Sequence, residues 1–133
     1  MSEIIEDLAV VVRGSWIGIK RTLTQSKAEP SVLTETATKQ AILESNVPNP
    51  TYKITAPAQT MPTGRFGPWP AALAAFQVAR AKRLEAASSN SNALHCHVMA
   101  HPVIGPLTLA QWFFFTAAHS ARHTIQIEQV LSK

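Results

Sequence analysis

Apolar residues recur at helical spacing in three long stretches of the chain, separated by proline- and asparagine-rich punctuation. The first stretch runs from Glu3 to about Thr24, with Ile4, Leu8, Val11 and Ile19 on one side, although Gly14 and Gly18 weaken it. Ser2 is a candidate cap, and Glu3 and Glu6 suit the positive end of the helix dipole. After Pro30 the pattern allows a shorter, threonine-rich helix over Val32–Glu44, capped by Ser31. Between Asn46 and Pro70 lie Pro48, Pro50, Pro57, Pro62, Pro68 and Pro70, a density that excludes regular helix and predicts a long, mostly extended connection. Pro70 then opens a helix through "AALAAFQVARAKRLEAA", with Leu73, Phe76, Ala79 and Leu84 as its apolar side, and "SSNSN" ends it.

The last stretch is the most sharply marked. "GPLTLAQW" reads as a loop feeding a helix, because Thr108 and Gln111 have capping-box spacing. The helix is expected from Leu109 to about Leu131. Trp112, His119, His123 and Gln126 fall along one stripe, while the other apolar residues flank it so fully that its first half must be buried among other helices. The fold class that follows is all-α and bundle-like, in a single domain over residues 1–133.

Composition narrows the functions. An apolar content of 46% against 15% charged residues, with only 5 glycines, describes a helical globular chain. The opening "MSEIIEDLAVVV" has acids where a signal peptide carries bases, and no apolar run is long enough for a bilayer. The single cysteine, Cys96, excludes an intrachain disulfide and fits a reducing compartment, so a cytoplasmic location is expected, with no membrane partner. The net charge of +4 does not form a nucleic-acid face. Its one cluster, Arg80, Lys82 and Arg83, sits late in a helix, where cations favour the dipole, and no aromatic residues interleave with it.

His119 and His123 carry the candidate chemistry. At i and i+4 both imidazoles project from one face and can reach one cation, or form a hydrogen-bonded interfacial pair. His95, Cys96 and His97 form a second cluster, but in a loop without a partner at defined spacing, and a structural role suits them better. His101, before Pro102, is placed to orient a loop. Arg122 lies between the two histidines and points away from both, about 100° per residue, towards an acid.

The stretch "HPVIGPLTLAQWFFFTAAHSARHTIQI" strongly resembles the last helix of the DinB-like superfamily and the loop leading into it. The matching residues are His101-Pro102, Gly105-Pro106-Leu107-Thr108, Trp112, His119, Arg122-His123 and Gln126-Ile127. "IIEDLAVVVRGSWIGIKRTL" is similar to the family's second helix, and "AALAAFQVARAKRL" to its third. The resemblance implies a four-helix bundle with a long crossover, commonly dimeric, that binds a divalent metal such as zinc or nickel through three histidines. It also implies, for active members, a thiol-dependent S-transferase or a metal-dependent hydrolase acting on a small molecule, with a low-molecular-weight thiol as partner.

Two departures follow. Where the family has a histidine before a leucine on its second helix, this chain has Glu6-Asp7-Leu8, so the implied metal set becomes Asp7, His119 and His123. The chain also begins where the family's second helix begins, so a segment of the bundle must be covered by residues 32–44 or by a second subunit. Trp112, Phe113, Phe114 and Phe115 exceed what one inward stripe hides, which favours a homodimer. The alternative function is a non-catalytic dimeric module with a degenerate metal site.

Overall fold

The computed structural model describes residues 1–52 and 58–133; Pro57, one of the prolines of the long connection, lies outside them. The described residues form α1 (Ser2–Leu23), α2 (Pro30–Ala37), α3 (Gln40–Ser45), α4 (Trp69–Ser89), β1 (Val98–His101), β2 (Gly105–Thr108) and α5 (Leu109–Leu131), with short 3-10 turns at Ala58–Thr60 and Ala93–His95. Helices dominate, as the apolar spacing predicts. No described helix is long and apolar enough to cross a membrane.

α1 is the central helix and packs against both α4 and α5. Its buried face of Ile5, Leu8, Ala9, Val12 and Ile19 recurs at three- and four-residue steps, the period that holds a stripe on one side of a helix. The main core gathers Ile19 with Leu43, Val47, Leu107, Leu109, Trp112 and Phe115. Fully burying side chains of this size stabilises the fold by roughly 1.5–3 kcal/mol each. α5 runs antiparallel to α1. Asp7 near the start of α1 meets His123 late in α5, whereas Gly18 lies against Met99, whose carbonyl accepts from Trp112 Nε1 at 2.7 Å.

The start of α5 is fixed by its own sequence. Thr108 Oγ1 accepts from the Gln111 backbone N–H at 3.1 Å, and the Gln111 side chain accepts from the Thr108 backbone N–H at 3.0 Å, a complete capping box. The same Gln111 amide donates to the Thr36 carbonyl at 2.8 Å and so ties α2 to this corner.

Four expectations need correction. The segment read as a loop before α5 pairs with residues 98–101 as an antiparallel hairpin, His101 opposite Gly105 and Val98 opposite Thr108. A small two-stranded sheet therefore joins the helices. Gly105, at φ +96°, permits the turn, a conformation that favours glycine. The single helix expected over 32–44 is two helices, starting at Pro30 after Glu29 with no side-chain cap. Thr36 and Thr38 hydroxyls donate to the carbonyls of Leu33 and Glu35, at 2.7 Å each, where α2 stops. Ser2 lies inside α1, which begins after Met1 without a side-chain cap. On α4, Ala79 is buried as expected, but Leu84 is 55% exposed and Arg83 is buried in its place.

The aromatic run divides between environments. Trp112 and Phe115 are buried, Phe113 is half-buried with the Arg83 guanidinium 4.7 Å over its ring, and Phe114 is exposed.

Candidate metal centre

Asp7, His119 and His123 come together. Asp7 Oδ2 lies 2.6 Å from His123 Nε2 and 3.3 Å from His119 Nε2, and the two Nε2 atoms are 3.1 Å apart. Each residue thus offers one ligand-type atom, all within 4.8 Å of one another. Helical geometry explains the pairing of the histidines: four residues on α5 bring the rings to 4.5 Å, edge to face. Asp7 reaches them because α1 crosses α5 at this level, a relationship across the fold that spacing alone does not encode.

The protons of the cluster are constrained. His123 Nδ1 faces Gln126 Oε1 at 2.5 Å. An amide oxygen only accepts, so Nδ1 carries the hydrogen and Nε2 of the neutral ring turns a lone pair towards the carboxylate. His123 Nε2 and the Asp7 carboxylate then turn lone pairs towards each other, an arrangement that a positive species between them, a proton or a metal ion, stabilises. Burial pushes the Asp7 carboxyl up, but the hydrogen bonds and positive charge that His119 and His123 supply in their protonated form outweigh it, holding the group below the ordinary carboxylate range.

The donor set fits a divalent transition metal. Two imidazole nitrogens and a carboxylate oxygen are ordinary ligands for zinc. Atoms held about 2.0–2.1 Å from a tetrahedral zinc lie about 3.3 Å from each other. The edges to and between the histidines, 3.3 and 3.1 Å, are close to that, while the 2.6 Å Asp7–His123 edge has hydrogen-bond length and would have to open. Gln126 supplies the orienting acceptor that ligating histidines commonly have. His119 lacks one: its Nδ1 is buried without a hydrogen-bond partner among the described residues.

The cluster forms part of the wall of a cleft of about 730 Å³. Val11, Met99, Trp112 and Phe115 make much of its apolar surface, and Arg13, Arg65 and Arg122 also line it. Another part of its wall, with Arg65 and Phe66, depends on Glu6, whose spacing gave no sign of such a role. The Glu6 carboxylate accepts from the backbone N–H groups of Thr63 at 2.8 Å and Gly64 at 3.0 Å, with Arg65 Nε at 3.5 Å. These bonds, Thr63 first, hold its carboxyl below the ordinary range despite burial, and they fasten the segment bearing Arg65 and Phe66 to α1.

The remaining candidates have structural partners. His97 places Nδ1 2.9 Å from the Ala93 carbonyl and Nε2 3.1 Å from the Gln25 carbonyl, joining the 3-10 turn to the end of α1. His95, Cys96 and His97 belong to no ligand cluster among the described residues. Among the described residues Arg122 pairs with no acid; its Nη1 donates to the carbonyls of Asn49 at 2.8 Å and Tyr52 at 2.6 Å. His101 accepts from two backbone N–H groups through Nδ1, and burial, with the charge of His119 adding, holds its imidazole down to about 4.

No protein family, no curated protein and no solved structure matches this chain.

Proposed function

We propose that this chain is a metal-dependent protein of the DinB-like kind, with Asp7, His119 and His123 holding one zinc or nickel ion at the edge of the cleft. The observation that carries this reading is the convergence of three ligand-type atoms, from α1 and α5, beside a cavity large enough for a small molecule. When bound, the metal supplies Lewis acidity, lowering the pKa of a coordinated thiol or water to give a nucleophile near neutral pH. Asp7 contributes the negative charge that the family's third histidine lacks. Gln126 fixes the His123 ring so that Nε2 faces the cation. Trp112 and Phe115 exclude water from one side of the site and offer an apolar surface to an electrophilic substrate. The activity supported best is transfer of a low-molecular-weight thiol to a small electrophile, with metal-dependent hydrolysis as the other use of the same nucleophile.

The test is direct. Protein loaded with zinc or nickel is offered glutathione, bacillithiol or mycothiol with a chlorodinitrobenzene electrophile, or a chromogenic ester with water alone. Turnover that needs the metal and disappears in His119→Ala supports the reading. Metal-loaded protein that turns over none of these pairs points to the second reading, a non-catalytic dimeric binding module. That reading draws on the 2.6 Å Asp7–His123 contact, which serves equally as a charged clip between helices, and on the exposed Phe114, Ile125, Val130 and Leu131 of α5. Light scattering at low micromolar concentration tests the dimer: a stable folded species of 14.4 kDa contradicts it.

A further inference from the structure

His101 ends β1 and stands beside the cluster without belonging to it. Its ring centroid is 5.2 Å from that of Trp112 and 4.6 Å from that of Phe115, edge-on. Phe115 stacks in turn on His119 at 5.8 Å, so a single phenyl ring separates His101 from the candidate ligands. The backbone of the following turn sets the proton. Val103 and Ile104 N–H groups both donate to Nδ1 at 3.1 Å. A ring nitrogen that accepts two such bonds must keep its lone pair, so the hydrogen of the neutral ring sits on Nε2.

That Nε2–H has no hydrogen-bond partner among the described residues, and it is not sealed from solvent. It is held in direction from both sides. Turning the ring over would break two backbone hydrogen bonds and disturb the packing on Trp112 and Phe115. A donor fixed in this way, in a largely apolar wall, gains most from an acceptor that arrives with its own apolar body. Charge narrows the choice further. Arg13, Arg65 and Arg122 line the cleft, and among its described lining residues Asp7 is the one acid.

We propose that His101 is a ligand-positioning residue: its Nε2–H donates to an oxygen acceptor, a carbonyl or carboxylate, on a small molecule whose apolar body lies along Met99, Trp112 and Phe115. This deepens the functional reading above and rests on it only in taking the cleft as the ligand site. The acceptor end is neutral or anionic, and a cationic group in its place is disfavoured by the arginines.

Two measurements test this on the whole chain. Nitrogen-15 imidazole spectra should show His101 protonated at Nε2 and unprotonated, hydrogen-bonded, at Nδ1; the opposite tautomer overturns the proposal. Calorimetric titration with 3-phenylpropionate, and with 3-phenylpropylamine as its cationic counterpart, should show the carboxylate binding at least about tenfold more tightly. His101→Asn keeps a side-chain oxygen for the Val103 and Ile104 N–H groups but loses the outer donor. It should weaken 3-phenylpropionate about tenfold, with zinc affinity and melting temperature little changed. Equal affinity in wild type and His101→Asn overturns the proposal, as does failure of 3-phenylpropionate to bind at millimolar concentration. If 3-phenylpropionate binds through His101 to protein that takes up no zinc, this subsite stands and the metal reading falls; zinc uptake with the wrong tautomer gives the reverse.

Discussion

Asp7 and His123, 116 residues apart in the chain, meet at 2.6 Å between Oδ2 and Nε2. This contact joins the first and last helices and places a carboxylate against two imidazoles. Its length suits a shared proton, and its surroundings suit a cation, so substitutions that separate charge from ligation are the informative ones.

Asp7→Ala removes a ligand and a negative charge together. It is expected to weaken zinc binding nearly as much as His123→Ala, whereas Asp7→His should preserve or strengthen it, because neutral imidazole is a good zinc ligand. Competition against a chromogenic chelator measures all three. Equal zinc affinity in wild type and Asp7→Ala would reduce Asp7 to a helix-end charge.

Among the described residues, the Gln126 side chain hydrogen-bonds to the cluster through His123 Nδ1. Gln126→Ala should therefore lower zinc affinity by about ten- to a hundredfold, the usual consequence of removing an orienting acceptor. Gln126→Glu, which still accepts, should retain most of it. The same chelator competition reads both variants, and an Ala variant as tight as wild type would show that the His123 ring is held by packing alone.

These residues were unequally legible in the sequence. The i, i+4 spacing of His119 and His123 and the Thr108–Gln111 box specify a local face and a local start, and α5 has the bounds they imply. Asp7 could be nominated only through the resemblance, because its partnership with α5 depends on how two helices cross. The hairpin was hidden for a different reason. Its strands are four residues long, β2 contains Pro106, and neither presents an alternating pattern long enough to read. The role of Glu6 and the tautomer of His101 rest on backbone N–H groups, which side-chain patterns do not record.

Arg83 is buried with Nε and Nη2 unpartnered among the described residues, and burial lowers its pKa to about 10. The stacking on Phe113 compensates only in part. Arg83→Met keeps the volume and removes the unmet donors, so it should stabilise the protein by about 1 kcal/mol, a rise of roughly 3–5 °C in Tm. A fall in Tm on thermal melting would mean that the guanidinium has an acceptor in solution.

Acid should destabilise the metal-free protein partly through Asp7. Its folded pKa is depressed, so its contribution is complete above the unfolded value of about 4 and is lost as pH falls towards the lower folded pKa, where the unfolded chain binds the proton first. Urea melts of chelator-treated protein between about pH 5 and pH 2 should show a steeper loss for wild type than for Asp7→Asn. Identical slopes would contradict the depressed pKa.

The most direct measurement is the metal content of the untagged chain, purified without an affinity metal column and analysed by elemental mass spectrometry, together with thermal melts of the stripped protein across a zinc and nickel titration. Binding to the native state must raise Tm by mass action. The wild-type chain should carry close to one zinc or nickel ion, and its Tm should climb with added metal, whereas that of His119→Ala or His123→Ala should not. A metal-free protein whose Tm stays level throughout both titrations would contradict it.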